Sequence, residues 1–171
     1  MNGRGAARCT TADRRAPKRT VAAVTMLIAA TVLSGCGIRI PADPDGTLDR
    51  ITDGTLRVGA SPSGSLVVTT DGQPEGSLVD LVEGFAEERD ARVEWTVDSE
   101  EDLVDGLAAG GLDLAIGGMT DNTPWADRVS VTRGYPDVPG AGGASVVILL
   151  PMGENALQAA LEAYLDEELS R

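Results

Sequence analysis

Apolar positions along the chain follow two periods in alternation, and each segment is bounded by glycine, proline or aspartate. Thr55–Ala60 (TLRVGA) and Arg92–Val97 (RVEWTV) alternate apolar with polar residues, the period of a half-buried strand. Leu66–Thr70 (LVVTT) is a further β-rich run, ended by the turn pair Asp71-Gly72. Between Leu78 and Arg89 the apolar residues Leu78, Leu81, Val82, Phe85 and Ala86 recur at three and four, which predicts an amphipathic helix. Ser99 followed by Glu100, Glu101 and Asp102 predicts a second helix start, with an N-cap hydroxyl and acids at the positive dipole end. That helix carries Leu103, Val104 and Leu107 and stops at Gly110-Gly111. Leu112–Ile116 (LDLAI) predicts a strand that opens onto Gly117-Gly118-Met119-Thr120. Ser145–Leu150 (SVVILL) is the most apolar run and is expected to be the central strand, and Asn155–Leu169 reads as a helix with Leu157, Leu161, Tyr164 and Leu165 on one face.

Strands alternating with helices predict an α/β domain with a mostly parallel sheet flanked by helices, starting near Thr47. Crossovers between parallel strands are right-handed, so the C-terminal ends of the strands form the natural ligand edge.

The first residues carry a different pattern. A basic run (Arg4, Arg8, Arg14, Arg15, Lys18, Arg19) precedes an apolar stretch from Val21 to Val32 and then Leu33-Ser34-Gly35-Cys36. This is the order of an export signal. The apolar stretch is shorter than the ~20 residues that span a bilayer core, which argues against a lasting transmembrane helix. Leu-Ser-Gly-Cys resembles the lipobox of bacterial lipoproteins, in which the cysteine thiol receives a diacylglycerol and becomes the first residue. The expectation is a signal peptide over residues 1–35, lipidation of Cys36, a Pro/Gly/Asp-rich tether over 36–46, and one domain over 47–171 at the extracytoplasmic face of the cell membrane.

Cleavage changes the meaning of the composition. The whole chain has a formal net charge of −13, but residues 36–171 hold eight arginines against 26 carboxylates, a net of −18. Phosphate backbones are held by Lys/Arg clusters, so this body excludes a nucleic-acid partner, and it equally disfavours lying flat on an anionic bilayer. Cys9 leaves with the leader and Cys36 is acylated, so no disulfide braces the domain, and its about 125 residues suit a single hydrophobic core. With no histidine and no free cysteine, the commonest zinc ligands and general bases are missing, and no metal or cofactor is implied. No Ser-Lys pair, nucleophile elbow or spaced carboxylate pair stands in their place, so no catalytic residue is assigned and the chain is read as a non-enzyme.

Three segments in order resemble the extracellular solute-binding proteins of family 3, the polar amino-acid receptors of ABC importers. They are Leu56-Arg57-Val58-Gly59, then Gly76 to Trp95 with Asp80 and Leu81 in register, then Asp105 to Tyr135 with its Leu-Asp-Leu-Ala-Ile strand and Gly-Met-Thr turn. The resemblance implies a periplasmic-binding-protein-like fold of two α/β lobes closing on a ligand. It further implies that the second lobe is missing here, because only nine residues, Pro136–Ala144, separate the hinge tyrosine Tyr135 from the returning strand. Carried over position by position, the family's carboxylate-gripping arginine falls on Trp125, and Arg128 is the nearest cation, three residues late. The two aromatic walls fall on Gly64 and Glu100, and the acid ending the first strand falls on Ser61. Gly118 and Thr120 keep the turn that offers backbone donors and a hydroxyl, although the same glycines would serve simply to turn the chain. Trp95, alternating in a strand, reads as core or half-core.

The candidate ligand residues are therefore Ser61, Gly118, Thr120, Trp125 and Arg128, around a site that has lost its main grips. Two functions remain open. One is a membrane-anchored solute-binding lipoprotein linked to transport of small polar, amino-acid-type solutes, working with a membrane permease. The other is a non-transport accessory module whose exposed edge binds another membrane protein. Two acyl chains anchor stably where one is marginal, at ~0.8 kcal/mol per buried CH₂. Cys36→Ser is therefore expected to release the protein from the membrane fraction or leave it unprocessed, as read by fractionation and gel mobility. Unchanged fractionation and mobility would exclude the lipid anchor.

Overall fold

The structure, a computed structural model, describes residues 46–171. The lipidation and leader expectations lie outside these residues. Helix α1 (Thr47–Ile51) leads into strand β1 (Thr55–Ala60), followed by a short hairpin of β2 (Val68–Thr70) and β3 (Gln73–Glu75). Then come α2 (Ser77–Glu87), β4 (Arg92–Val97), α3 (Glu100–Ala108), β5 (Leu114–Ile116), β6 (Ser130–Val131), β7 (Leu149–Leu150) and α4 (Asn155–Leu169). Five strands form one sheet in the order β4-β1-β5-β7-β6. β1 runs parallel to β4, with Thr55 beside Arg92 and Ala60 beside Val97, and parallel to β5, with Val58 beside Leu114. β7 runs antiparallel to both β5 and β6, so four of the five strands share one direction. No helix among the described residues is long and apolar enough to cross a membrane.

The sheet buries a core on each face. On one side Leu56, Val58, Ala60, Leu114, Ile116 and Ile148 meet Val82 and Phe85 of α2 and Leu157 and Leu161 of α4. On the other, Leu103, Val104 and Leu107 of α3 meet Ala115, Val147 and Leu149. This explains the unbroken apolar run around β7, since a strand covered on both faces has no polar side to show. Gly59 lets α3 approach β1: a Cβ there would lie 2.5 Å from the Leu103 side chain.

Local chemistry sets the element ends as the pattern predicts. The Ser99 hydroxyl accepts the Asp102 N–H at 3.3 Å to cap α3, and Gly110 adopts φ 71° just past its end. Asp71 and Gly72 both take positive φ, 51° and 82°, the geometry of a two-residue hairpin turn. The turn joins β2 to β3, a strand that its proline and charged residue concealed. Pro74 is tolerated there because the ribbon has only two strands and one edge needs no donor.

Two expectations change. Ser145–Leu150 is apolar and buried but lies next to last in the sheet rather than at its centre, and its ladder is regular only over Leu149–Leu150. Before that, Val146 bridges singly to Thr120 and to Tyr135. It runs antiparallel because the chain returns from β6 through a loop without a crossover helix, and parallel pairing needs such a crossover. On α2, Val79 is buried where Leu81 was expected to be, and Leu81 is only half-covered.

Asp113, just before β5, is 1% exposed and holds the base of the sheet together. Its Oδ1 accepts Nη2 of Arg50 and Nη2 of Arg57, each at 2.5 Å. Its Oδ2 accepts Nε of Arg57 at 3.2 Å and the backbone N–H of Arg57 at 2.9 Å. The Asp113 N–H donates to the Arg57 carbonyl at 2.8 Å. Burial pushes the Asp113 carboxyl up, but the hydrogen bonds from Arg57 and Arg50 outweigh it and hold it below the usual carboxylate range. A carboxyl depressed on folding contributes stability above its unfolded value and loses it as pH falls through the folded one. Asp113→Asn is expected to cost about 2–4 kcal/mol in urea unfolding near neutral pH, from the loss of charge-assisted bonds to a buried group. The gap between wild type and variant should narrow as pH is lowered below about 4, because the wild type then loses the same interaction. A gap that stays constant with pH would show that the carboxylate charge is not what stabilises the site.

Candidate functional site

The C-terminal ends of β1 and β5 meet in a shelf of small residues. β1 leaves the sheet at Ser61, whose N–H donates to the Ile116 carbonyl at 2.9 Å. The chain then folds into a tight turn closed by Ser63 N–H to the Val67 carbonyl at 2.8 Å, with Gly64 at φ 52°. β5 ends on Gly117, buried, and Gly118, exposed. A Cβ on Gly117 would sit 3.1 Å from the Ser61 Cβ, and one on Gly118 would sit 2.5 Å from the Ser63 Oγ. The two glycines are thus what allows the β1 and β5 loops to touch. Any larger residue at Gly118 would push the Ser63 hydroxyl away.

The rest of the turn is fixed from the far side. Val147 N–H donates to the Met119 carbonyl at 3.0 Å and Asp121 N–H to the Ser145 carbonyl at 3.1 Å, and Thr120 pairs with Val146. Ser61, Gly118 and Thr120 therefore lie along one continuous edge, with Ser63 as a member that the sequence reading did not single out. Its signal was available only as a second serine three residues beyond the strand end.

Trp125 and Arg128 go elsewhere. Trp125 is half-buried against the α3 core, and its indole N–H points at Oε2 of Glu100 at 3.4 Å. Arg128 donates from Nη2 to Oδ1 of Asp105 at 2.5 Å, and its guanidinium carbon stands 6.0 Å from the Trp125 ring centre. The Asp105 hydrogen bond raises the Arg128 pKa and directs the guanidinium toward α3 rather than the Thr120 turn. The structure thus divides the candidate residues into two groups, the Ser61–Gly118–Thr120 edge and a Trp125–Arg128 pair held on α3. Glu100 and Trp125, the positions where the family resemblance places an aromatic wall and an arginine, are in contact with each other.

Tyr135, the position that the resemblance makes a hinge, is also spoken for. Tyr135 is buried, its hydroxyl accepts Nε of Arg133 at 3.0 Å and donates to the Glu162 carbonyl at 3.3 Å, and Arg133 pairs with Asp166. Burial pushes the Tyr135 hydroxyl pKa up, against the pull of Arg133. The loop after it folds back onto the domain. Val138 is buried, the Ser77 hydroxyl donates to the Pro139 carbonyl at 2.6 Å, and Gly140, at φ 88°, lies so close to Ser65 that a Cβ would stand 2.3 Å from its Oγ. Among the described residues no group of three His, Cys, Asp or Glu side chains is placed to hold a metal ion.

Solved structures share this architecture. A point variant of domain 1 from TmArgBP in its arginine-bound form superposes with TM-score 0.62 at 22% identity, covering 72% of this chain and 99% of that one. An ancestral arginine-binding protein bound to arginine gives 0.56 at 15% identity, over 68% of this chain and 92% of that one. A Salmonella typhimurium periplasmic binding protein described as highly specific for arginine gives 0.56 at 13% identity, over 68% and 94%. These likenesses establish the fold, a single lobe of the periplasmic-binding-protein type. A comparison with curated proteins finds no match. The sequence itself matches the bacterial extracellular solute-binding proteins, family 3, from residue 56 to residue 167, through both core faces and the shelf between them, and the chain belongs to that family.

Proposed function

We propose that this chain is a lipid-anchored, one-lobe solute-binding protein of the extracytoplasmic membrane face, linked to transport of small amino-acid-type solutes, whose ligand site is eroded. The observation that carries the reading is the contact between Trp125 and Glu100 inside a lobe whose sequence matches the family from residue 56 to residue 167. The shelf retains the polar edge for a small solute, but the bidentate guanidinium that would grip an α-carboxylate is replaced by an indole bonded to an acid. A two-lobe receptor also strengthens such contacts by closing and excluding water, and nine residues between Tyr135 and Ser145 cannot supply a second lobe. The chain acts by binding and not by catalysis, with a permease or another membrane protein as its partner. The half-exposed Trp125 face on α3 favours the second reading, an accessory module that docks on such a partner.

Calorimetry against a panel of polar amino acids separates these readings. Affinity is expected to be no tighter than about millimolar, or ~4 kcal/mol of binding free energy. Micromolar binding abolished by Arg128→Ala would overturn the eroded-site reading and restore a true receptor. No heat with any small solute, together with a membrane partner whose capture is lost in Trp125→Ala, would favour the accessory module.

The erosion itself is testable by reversal. Trp125→Arg alone is expected to gain little, because the new guanidinium pairs with Glu100. The combination Trp125→Arg with Glu100→Phe should tighten amino-acid binding by about tenfold or more, through a charge-assisted pair beside an aromatic wall. Equal behaviour of the single and double variants would show that Glu100 does not control the site.

A further inference from the structure

We propose that the open edge of β4 and the groove beside it receive an extended, basic segment of a partner protein, which pairs with β4 as an added strand. β4 is the outermost strand of the sheet. The Arg92 N–H donates inward to the Gly54 carbonyl at 2.9 Å, and the Asp98 N–H donates inward to the Ala60 carbonyl at 3.2 Å. Backbone groups alternate sides along a strand, so the N–H and C=O groups of Val93, Trp95 and Val97 point outward. Among the described residues β4 pairs with β1 alone, so no neighbouring strand accepts these three N–H groups. The β2–β3 hairpin forms its own ladder and packs against β4 without pairing with it, so it leaves the backbone ladder of β4 unextended. An unpaired row of this kind is a template for strand addition.

The groove identifies the chemistry of the occupant. Between α2 and β4 a depression of about 470 Å³ has a floor that includes Ala86, Val93 and Trp95 and a rim of Glu83, Glu87 and Asp90. A strand added beside β4 projects every second side chain over this floor. Long cationic side chains suit it, with their methylene stems on Ala86 and Trp95 and their heads at Glu83 and Glu87. Arg92 and Glu94 lie on the opposite face of the strand from Trp95 and leave the rim's charge uncompensated. A second copy of this chain is the wrong occupant on charge: its described residues carry seven arginines, no lysine and 24 carboxylates.

The test uses the full chain and a labelled eight-residue peptide of alternating Thr and Arg, followed by fluorescence anisotropy. Saturable binding is expected, weakened at least about tenfold by Glu83→Gln with Glu87→Gln, both exposed positions whose change leaves the core intact. N-methylating alternate peptide amides, which removes the strand pairing and keeps the charge, should weaken binding by at least about tenfold as well. The proposal is overturned by absence of binding at millimolar peptide, or by equal binding of the N-methylated peptide or of a peptide with four Thr followed by four Arg. It is also overturned if the chain alone sediments as a dimer that Glu83→Gln with Glu87→Gln strengthens, because the edge then belongs to a second copy. These variants leave Ser61, Gly118 and Trp125 untouched, so the amino-acid calorimetry reads the shelf independently.

Discussion

The buried Asp113 carboxylate is the constraint on which the positions of β1 and β5 depend. It ties α1 through Arg50, β1 through the side chain and backbone of Arg57, and the start of β5 through its own N–H. A carboxylate that is 1% exposed is costly to bury, and only bonds this dense make it favourable. A slip of β1 against β5 would break all of them together. The clamp sits at the N-terminal base of the sheet, while the shelf lies at the other end of the same two strands. Fixing the register at the base is what brings Ser61 beside Gly117 and Ser63 beside Gly118.

The shelf in turn depends on the absence of side chains. Gly117 and Gly118 allow two loops to approach within distances that a Cβ would forbid. Around that backbone the polar side chains pair with α3. Arg128 is held by Asp105 and Trp125 by Glu100, so both side chains turn toward α3. The backbone part and the side-chain part of the site are separable because different elements support them.

The loop over residues 136–144 finishes the domain where a second lobe would begin. Val138 enters the first core, Ser77 holds the Pro139 carbonyl, and Gly140 rests on Ser65. These contacts cover the N-terminus of α2 and give the lobe its own boundary. The solvent-facing features that remain are the shelf, the Trp125 face and the β4 edge, and they carry polar or acidic groups rather than a large apolar surface. Val68 and Met152 are the only large apolar side chains exposed among the described residues.

The sequence alone determined the types of the longer elements, because each depends on local periodicity and local caps. β4 and α4 have the predicted ends, Ser99 caps α3, and Asp71-Gly72 turns a hairpin. The turn of Gly118 and Thr120 was legible too, since it follows directly from the end of a strand, but Ser63 beside it was not. β3 and β6 were not legible, because two or three residues with a proline or serine carry no period. The direction of β7 was hidden for a different reason. An apolar run reports burial on both faces but contains no information about the strand beside it. Tertiary structure alone decided that Trp125 meets Glu100, that Arg128 pairs with Asp105, and that Val93 and Trp95 of the edge strand line a groove with Glu83 and Glu87. Those partners are remote in the chain or come from different elements, and only the packing of α2 and α3 against opposite faces of the sheet brings them together.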